Sequence, residues 1–480
     1  MTEHIHGRRL VASTGNIISF IKNSSLFLVG SVLSRMLTFL LLPLYTSTVP
    51  TEDFGVYDIS LVYVSLVSSV LFFELWSAVL RFLYDFDSPE KKANVVKNGA
   101  VIFFGSSIVF IVAALVLFSL LNTRYVALIV GYGIAGALSQ YMCFIARGYG
   151  KNAQFSVSGV INTGIVLASN LILMLVFKFD YSAMYIGFIL GALSQTVYLF
   201  FVLDLRSILR RGELDRSLVI DLLRFSLPLC LNTASFWLLT SATKLVYNAV
   251  FGYSASGVFS VGSKFGQIIM LATTCFAYAW QDISFSASTR DAPGSFYSGA
   301  CNTYLQFLAS AFALLLPVVF FIFPLFVSSE YASALSLVPS FFAVSLVSGY
   351  ATFIGNVFYA IKKTRPIMLS ATAAGVVAVG LSFPLVKTFG ANGANLAVIL
   401  GFVIAIAIRA FLLRKELGFL IEWKTVVLCT MWVVLSALIF ILGNPTSIIL
   451  SAIVSMLIAG AIFRREIGLL LNIAKQKLFH

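Results

Sequence analysis

Between His6 and His480 the chain contains no histidine, which removes imidazole as a metal ligand or proton carrier everywhere except at the two ends. Cysteine is almost as scarce. Cys143, Cys230, Cys275, Cys301 and Cys429 are odd in number, lie in apolar stretches and form no C-x-x-C pair, so neither a disulfide framework nor a cysteine-based metal site is expected. Charge is thin as well: 11% of residues are charged and 60% are hydrophobic, where a soluble domain carries about a quarter charged. With a mean hydropathy of +0.98, an ordinary soluble protein is excluded.

Several chemical signatures are missing too. The nearest approach to a phosphate loop, Gly257 to Lys264, lacks the Gly-Lys-Ser/Thr ending and falls inside an apolar run. There is no H-E-x-x-H and no G-x-S-x-G, and no outer loop is long enough to carry a catalytic face. The expectation is a protein that is not an enzyme, with no cofactor. Without a nucleotide domain, work must be driven by a proton or sodium gradient, by the membrane potential or by consumption of product. The first 24 residues hold no short apolar segment ending at a small-residue cleavage site, so no removable signal peptide is expected.

What the chain does have is apolar runs of about 20 residues, long enough to cross the hydrocarbon core as helices. Fourteen are counted, the first at 26–46, the second at 55–80, the fourth at 125–147, the sixth at 182–204 and the last at 446–463. The formal charge of +13 does not mark a nucleic-acid protein, because the basic residues fall in the short breaks between runs. With the amino terminus in the cytoplasm, 26 Lys and Arg lie on the inner side and three on the outer side. That asymmetry is the positive-inside pattern and places both termini in the cytoplasm.

A weak repeat runs through the chain. Gly55-Val56-Tyr57 resembles Gly257-Val258-Phe259, and Ile189-Leu190-Gly191 resembles Ile399-Leu400-Gly401. Two six-helix lobes follow, 1–205 and 219–414, joined by a basic cytoplasmic linker at 206–218. Two further helices and a cytoplasmic tail occupy 415–480. The fold class expected is an all-α polytopic membrane protein of fourteen transmembrane helices in two pseudo-symmetric lobes plus two, built for alternating access with a site between the lobes.

Three cations, Arg35, Lys244 and Lys264, sit at membrane depth. Each costs several kcal/mol there, roughly 2.5–3.5 on insertion scales, unless it meets a cavity or a partner. Ser31 and Thr38 share the face of Arg35, Ser260 and Gln267 that of Lys264, and Thr240, Tyr247 and Asn248 that of Lys244. The functional reading is a cationic cavity for an anionic headgroup. The bland readings are an ion pair for Arg35, with Glu74 as one partner, and snorkelling for Lys244. Asp58, Glu74 and Asp282 are candidate coupling or ion-pair acids, and Glu74 with Arg81, seven residues apart on one face, reads equally well as a structural pair. Asn232, Trp237, Gln267 and Asn356 are candidate sugar contacts, although most aromatics in such a chain are packing. Pro43 and Pro228 correspond across the repeat and are candidate hinges, a static kink being the plain alternative.

The run Phe27 to Ser31, Arg35, Leu42-Pro43-Leu44-Tyr45-Thr46 and Asp53-Phe54-Gly55-Val56-Tyr57 resembles the amino-terminal pattern of Wzx-type polysaccharide-export flippases of the MATE-like superfamily. Arg147 to Lys151, Phe225-Ser226-Leu227-Pro228 and Gly390 to Ala394 extend the resemblance over nearly the whole chain. The resemblance implies a bacterial inner-membrane flippase that moves an undecaprenyl-pyrophosphate-linked oligosaccharide, O-antigen or similar, from the cytoplasmic to the periplasmic leaflet. It implies the lipid-linked glycan and the bilayer as partners, with polysaccharide polymerase and ligase machinery downstream. A multidrug or organic-cation exporter and a peptidoglycan-precursor flippase are the alternatives on the same fold.

Overall fold

The computed structural model describes residues 39–288, 294–361, 363 and 365–464, with the side chains of residues 232, 271–272, 274–288 and 360 outside that description. Among the described residues it is all-helical. Eleven stretches are long and apolar enough to span a membrane, and two of them hold more than one crossing. Arg216–Met270 turns at Ser241 and Gly252, and Arg365–Leu417 turns at Gly390. Both glycines have positive φ, 80° and 58°, a region that a residue without a Cβ enters freely. The first expected span lies mostly outside the described residues.

The chain divides into two units and passes from one to the other three times. Unit 1 holds residues through Val49 and then Val56–Ala234. Its helices are α1 (Leu42–Thr48), α2 (Thr51–Leu71, from Val56 on), α3 (Leu75–Asp85), α4 (Pro89–Leu120), α5 (Val126–Gly148), α6 (Asn152–Leu171), α7 (Ser182–Leu203), α8 (Leu205–Arg211) and most of α9 (Arg216–Thr240). Their ends follow local chemistry. Ser88 caps α4 by accepting from the Lys91 amide at 3.2 Å, with Pro89 in the first turn and Glu90 beside the positive end of the helix. At about 1.5 Å per residue the 32 residues of α4 exceed a ~30 Å hydrocarbon core. Its basic first turns therefore stand outside.

One helix departs from the sequence pattern. The apolar run 55–80 predicts a continuous second span, but the helix stops at Leu71 and restarts at Leu75. Phe73 and Glu74 take left-handed backbone, φ 52° and 53°, which costs an L-residue roughly 1–2 kcal/mol. Buried Phe72 offsets that strain, packing its ring 5.2 Å from Phe103 and 5.6 Å from Phe110. No Pro or Gly marks the break.

The segment entering α9 is strapped down rather than loose. Asn98 is fully buried; its amide donates to the Glu213 carbonyl at 2.8 Å and accepts from the Asp215 amide at 2.9 Å. Asn94 accepts from the Glu213 amide at 2.7 Å, and Lys97 donates to the Gly212 carbonyl at 2.8 Å. Elsewhere in unit 1, Gln195 joins α5, α6 and α7 by accepting from Ser139 and Asn162 and donating to Ser158, at 2.6, 2.7 and 3.0 Å.

Unit 2 holds Pro50–Gly55 and everything from Ser235 on. It comprises α10 (Ala242–Ser288), α11 (Gly294–Phe326), a 3-10 turn (Ser329–Leu337), α12 (Val338–Ala360), α13 (Arg365–Leu417), α14 (Trp423–Leu442) and α15 (Pro445–Ile462). Its core is aromatic and small-residue packing, with Tyr247, Phe259, Phe341 and Val386 in one cluster and Leu239, Ala374, Ala378 and Phe402 in another. The six-residue visitor Pro50–Gly55 is held firmly. The Thr51 amide donates to Glu330 at 2.9 Å, the Thr51 and Ser254 hydroxyls meet at 2.8 Å, and Phe54 packs edge-on to Tyr331.

Candidate functional site

The two described membrane-depth lysines come together within unit 2. Gly252 reverses the chain, so that the limb from Ala242 lies against the limb carrying Phe259 and Lys264. Tyr247 and Phe259 pack with ring centroids 5.0 Å apart, and the Ser256 hydroxyl donates to the Asn248 amide oxygen at 3.0 Å. This hairpin sets the Lys244 ammonium 6.0 Å above the Phe259 ring, a cation–π contact. It also brings Lys244 within electrostatic reach of Lys264. Both side chains are partly buried. Two like charges within electrostatic reach of each other in a span favour an anion near them, because a shared counter-charge relieves both their repulsion and their desolvation.

Of the neighbours read from sequence, Gln267 is exposed on the Lys264 side, whereas Ser260 is buried and bonds back to the Ser256 carbonyl at 2.7 Å. Trp237 and Asn356 are both buried in unit 2. Arg35 lies outside the described residues, and the side chains of Asn232 and Asp282 do too. Pro228 sits within the uninterrupted helix α9, and Pro43 opens α1 directly after the turn at Leu41.

Glu74 is placed differently from its sequence reading. Arg81 bonds Asp85, one turn on, in an exposed pair, so the Glu74–Arg81 pair does not form. Instead, three neutral donors converge on the Glu74 carboxylate at the break in the second span. The Trp76 indole N–H and the Ser77 hydroxyl donate to one oxygen, at 2.6 and 3.2 Å, and the Thr233 hydroxyl of α9 donates to the other at 3.1 Å. Asp58 is buried in α2.

A fourth deep cation was hidden by its position. Arg409 reads as an inner-side charge near the end of a span, yet it is buried, donating to Ser370 at 2.8 Å and to the Ala351 carbonyl at 2.6 Å. Gly355 leaves the room for it, since a Cβ there would meet the guanidinium at 3.0 Å. Arg409 ties α12 to α13 and is a structural cation. The only sequence signal was an arginine inside the run Leu396 to Leu413.

Outside the spans, Asp180 accepts from the Ser182 amide at 2.9 Å and from the Tyr125 hydroxyl at 2.6 Å, with Arg124 3.6 Å away. Burial pushes its carboxyl up, but the Ser182 and Tyr125 hydrogen bonds and the Arg124 charge outweigh that and hold it below the usual range.

These features define a class, an all-helical polytopic transporter. Among solved structures the chain is similar to an inward-facing multidrug resistance MATE family transporter of the MOP superfamily, with 15% identity, 80% of this chain and 94% of that chain covered and a TM-score of 0.66. It is similar to the lipid II flippase MurJ in an inward closed conformation at 15% identity, with 92% and 98% covered and a TM-score of 0.65. No curated protein matches. Residues 20–280, more than half of the sequence, match the polysaccharide biosynthesis protein family, and the chain belongs to that family.

Proposed function

We propose that this protein is a flippase for a lipid-linked oligosaccharide, carrying an undecaprenyl-pyrophosphate-linked glycan from the cytoplasmic to the periplasmic leaflet of a bacterial inner membrane by alternating access. The observation that carries the reading is the Lys244–Lys264 pair. Two cations within electrostatic reach of each other in a span suit a pyrophosphate and disfavour an organic cation, which would call for acids in their place. Family membership supports a polysaccharide pathway, and the similarity to a structure titled as a lipid II flippase supports a lipid-linked cargo.

Coupling to a proton or sodium gradient is part of the proposal, with Glu74 as its first candidate acid, ahead of Asp58 and Asp282. Glu74 stands where the helix is broken, and a carboxylate there can change partners without unwinding more backbone. The test is complementation. A clean deletion traps lipid-linked repeat units in the inner leaflet and abolishes surface polymer, and Lys244→Ala with Lys264→Ala fails to restore it at normal protein level. Normal surface polysaccharide in the deletion strain sinks the reading, and drug resistance on overexpression points to an exporter instead.

A further inference from the structure

A second site is built in unit 1 from residues other than the lysines. Between α2 and α5 lies a cavity of about 300 Å³, at the small end of the ~300–1,000 Å³ range of small-molecule sites. Ser65 and Ser68 come from α2, Trp76 from α3, and Tyr132, Gly136 and Gln140 from α5. The lining residues 61, 64, 65 and 68 share one helical face, as do 132, 133, 136, 137 and 140. Gly136 contributes a wall without a side chain. Ser65 and Gln140 are exposed, although Gln140 stands 14 residues into a 23-residue span. An amide facing lipid there would cost several kcal/mol, so this face is hydrated.

The chemistry of the lining selects its ligand. The Ser68 and Tyr132 hydroxyls and the Gln140 amide make no hydrogen bond with any described residue, leaving donors and acceptors free around the cavity. An acyl or polyprenyl chain could use none of them. A pyrophosphate finds no Lys or Arg in the lining and has Glu74 next door, held by the same Trp76. Two aromatic side chains with free hydroxyls and an amide suit a neutral ring that is apolar on its faces and polar on its rim. We infer that this cavity is a sugar subsite, receiving an uncharged pyranose ring of the cargo between Trp76 and Tyr132 while Ser68 and Gln140 bond its hydroxyl or acetamido groups. The inference rests on the lipid-linked glycan reading but on different residues from those that carry it.

The experiment uses the full chain in nanodiscs with every tryptophan except Trp76 replaced by Phe, so that fluorescence reports this cavity alone. Three probes are titrated: the oligosaccharide released by mild acid from the host's own lipid-linked pool, undecaprenyl pyrophosphate without sugar, and tetraphenylphosphonium. The oligosaccharide is expected to change Trp76 emission saturably. Ser68→Val and Gln140→Leu each weaken it about five- to ten-fold, the loss of one net hydrogen bond. A response unaltered in both Ser68→Val and Gln140→Leu overturns the subsite, as does a response to tetraphenylphosphonium but not to oligosaccharide. Binding of undecaprenyl pyrophosphate, measured by its competition with radiolabelled carrier, together with silence toward oligosaccharide removes the subsite and leaves the flippase reading standing. Silence toward both removes both.

Discussion

Gly55 and Gly257, repeat mates 202 positions apart in the sequence, pack against each other backbone to backbone. A Cβ on Gly55 would collide with the Tyr253 carbonyl and come within 3.0 Å of the Gly257 amide, and a Cβ on Gly257 would collide with the Thr51 carbonyl. The crossing is close to self-complementary, each glycine facing the residue that precedes its mate by a turn. Only glycine at both positions allows such approach, which also brings weak Cα–H contacts to the carbonyls. Gly55→Ala or Gly257→Ala is expected to destabilise the purified protein by roughly 1–3 kcal/mol, the cost of overpacking a tight contact. Thermal melting in detergent measures it, and unchanged melting for both would contradict the crossing.

The same crossing offers a covalent test. Because the Thr51 and Ser254 hydroxyls meet at 2.8 Å, their Cβ atoms lie near disulfide range. Thr51→Cys with Ser254→Cys is expected to cross-link under mild oxidant, tying Pro50–Gly55 covalently to the unit it packs in. Mobility on a non-reducing gel before and after reductant is the readout, and failure to cross-link would contradict the contact.

Glu74 makes a sharper demand than its charge. Both carboxylate oxygens accept, one from Trp76 and Ser77 and one from Thr233. Glu74→Gln keeps an acceptor for Trp76 and Ser77 and turns an N–H toward the Thr233 hydroxyl, which can rotate to accept it. Glutamine is therefore expected to preserve most of the stability that Glu74→Ala loses, about 1–3 kcal/mol. Melting of the two variants checks this, and equal losses in both would contradict the arrangement.

Much of the fold was legible because spans announce themselves: α5 and α7 begin and end within a residue of the apolar runs at 125–147 and 182–204. Gly55 and Gly257 touch in space, which nothing in their spacing said. The break at Phe73–Glu74 was illegible, since it is held by Phe103 and Phe110 rather than by a Pro or Gly at the site. For the site, the sequence placed Lys244 and Lys264 on neighbouring helices, and the reversal at Gly252 brought them within electrostatic reach of each other. The partners of Glu74 and Arg409 and the lining of the unit 1 cavity come from residues far apart in the chain, a kind of information that periodicity does not carry.

Asn98 sets the next expectation. With its amide bonded to Glu213 and Asp215, the backbone around Arg211 and Arg216 is held in place. Asn98→Ala is expected to raise trypsin cleavage there at least several-fold, read by fragment sizes over time. An unchanged cleavage rate would show that the strap contributes nothing.

Asp180 gives a pH dependence with a definite sign. Its carboxyl is held below the ordinary value, so its contribution is present above the unfolded value of about 3.9 and is lost as pH falls through the lowered folded value. Because the pair with Arg124 is largely exposed, the effect is small, below about 1 kcal/mol. Protection at residues 122–126, the exchange rate relative to the intrinsic rate at each pH, is expected to fall on acidification in the wild type and to be lower at neutral pH in Asp180→Asn. Equal exchange in both proteins at neutral pH would contradict it.

Affinity for undecaprenyl pyrophosphate, compared between the wild type and the Lys244→Ala/Lys264→Ala double variant in nanodiscs at low and high salt, tests the lysine pair as the seat of the anionic headgroup most directly. The account predicts that the double variant binds at least ten-fold more weakly and loses most of its salt dependence. Equal affinity and equal salt dependence in the two proteins would contradict it.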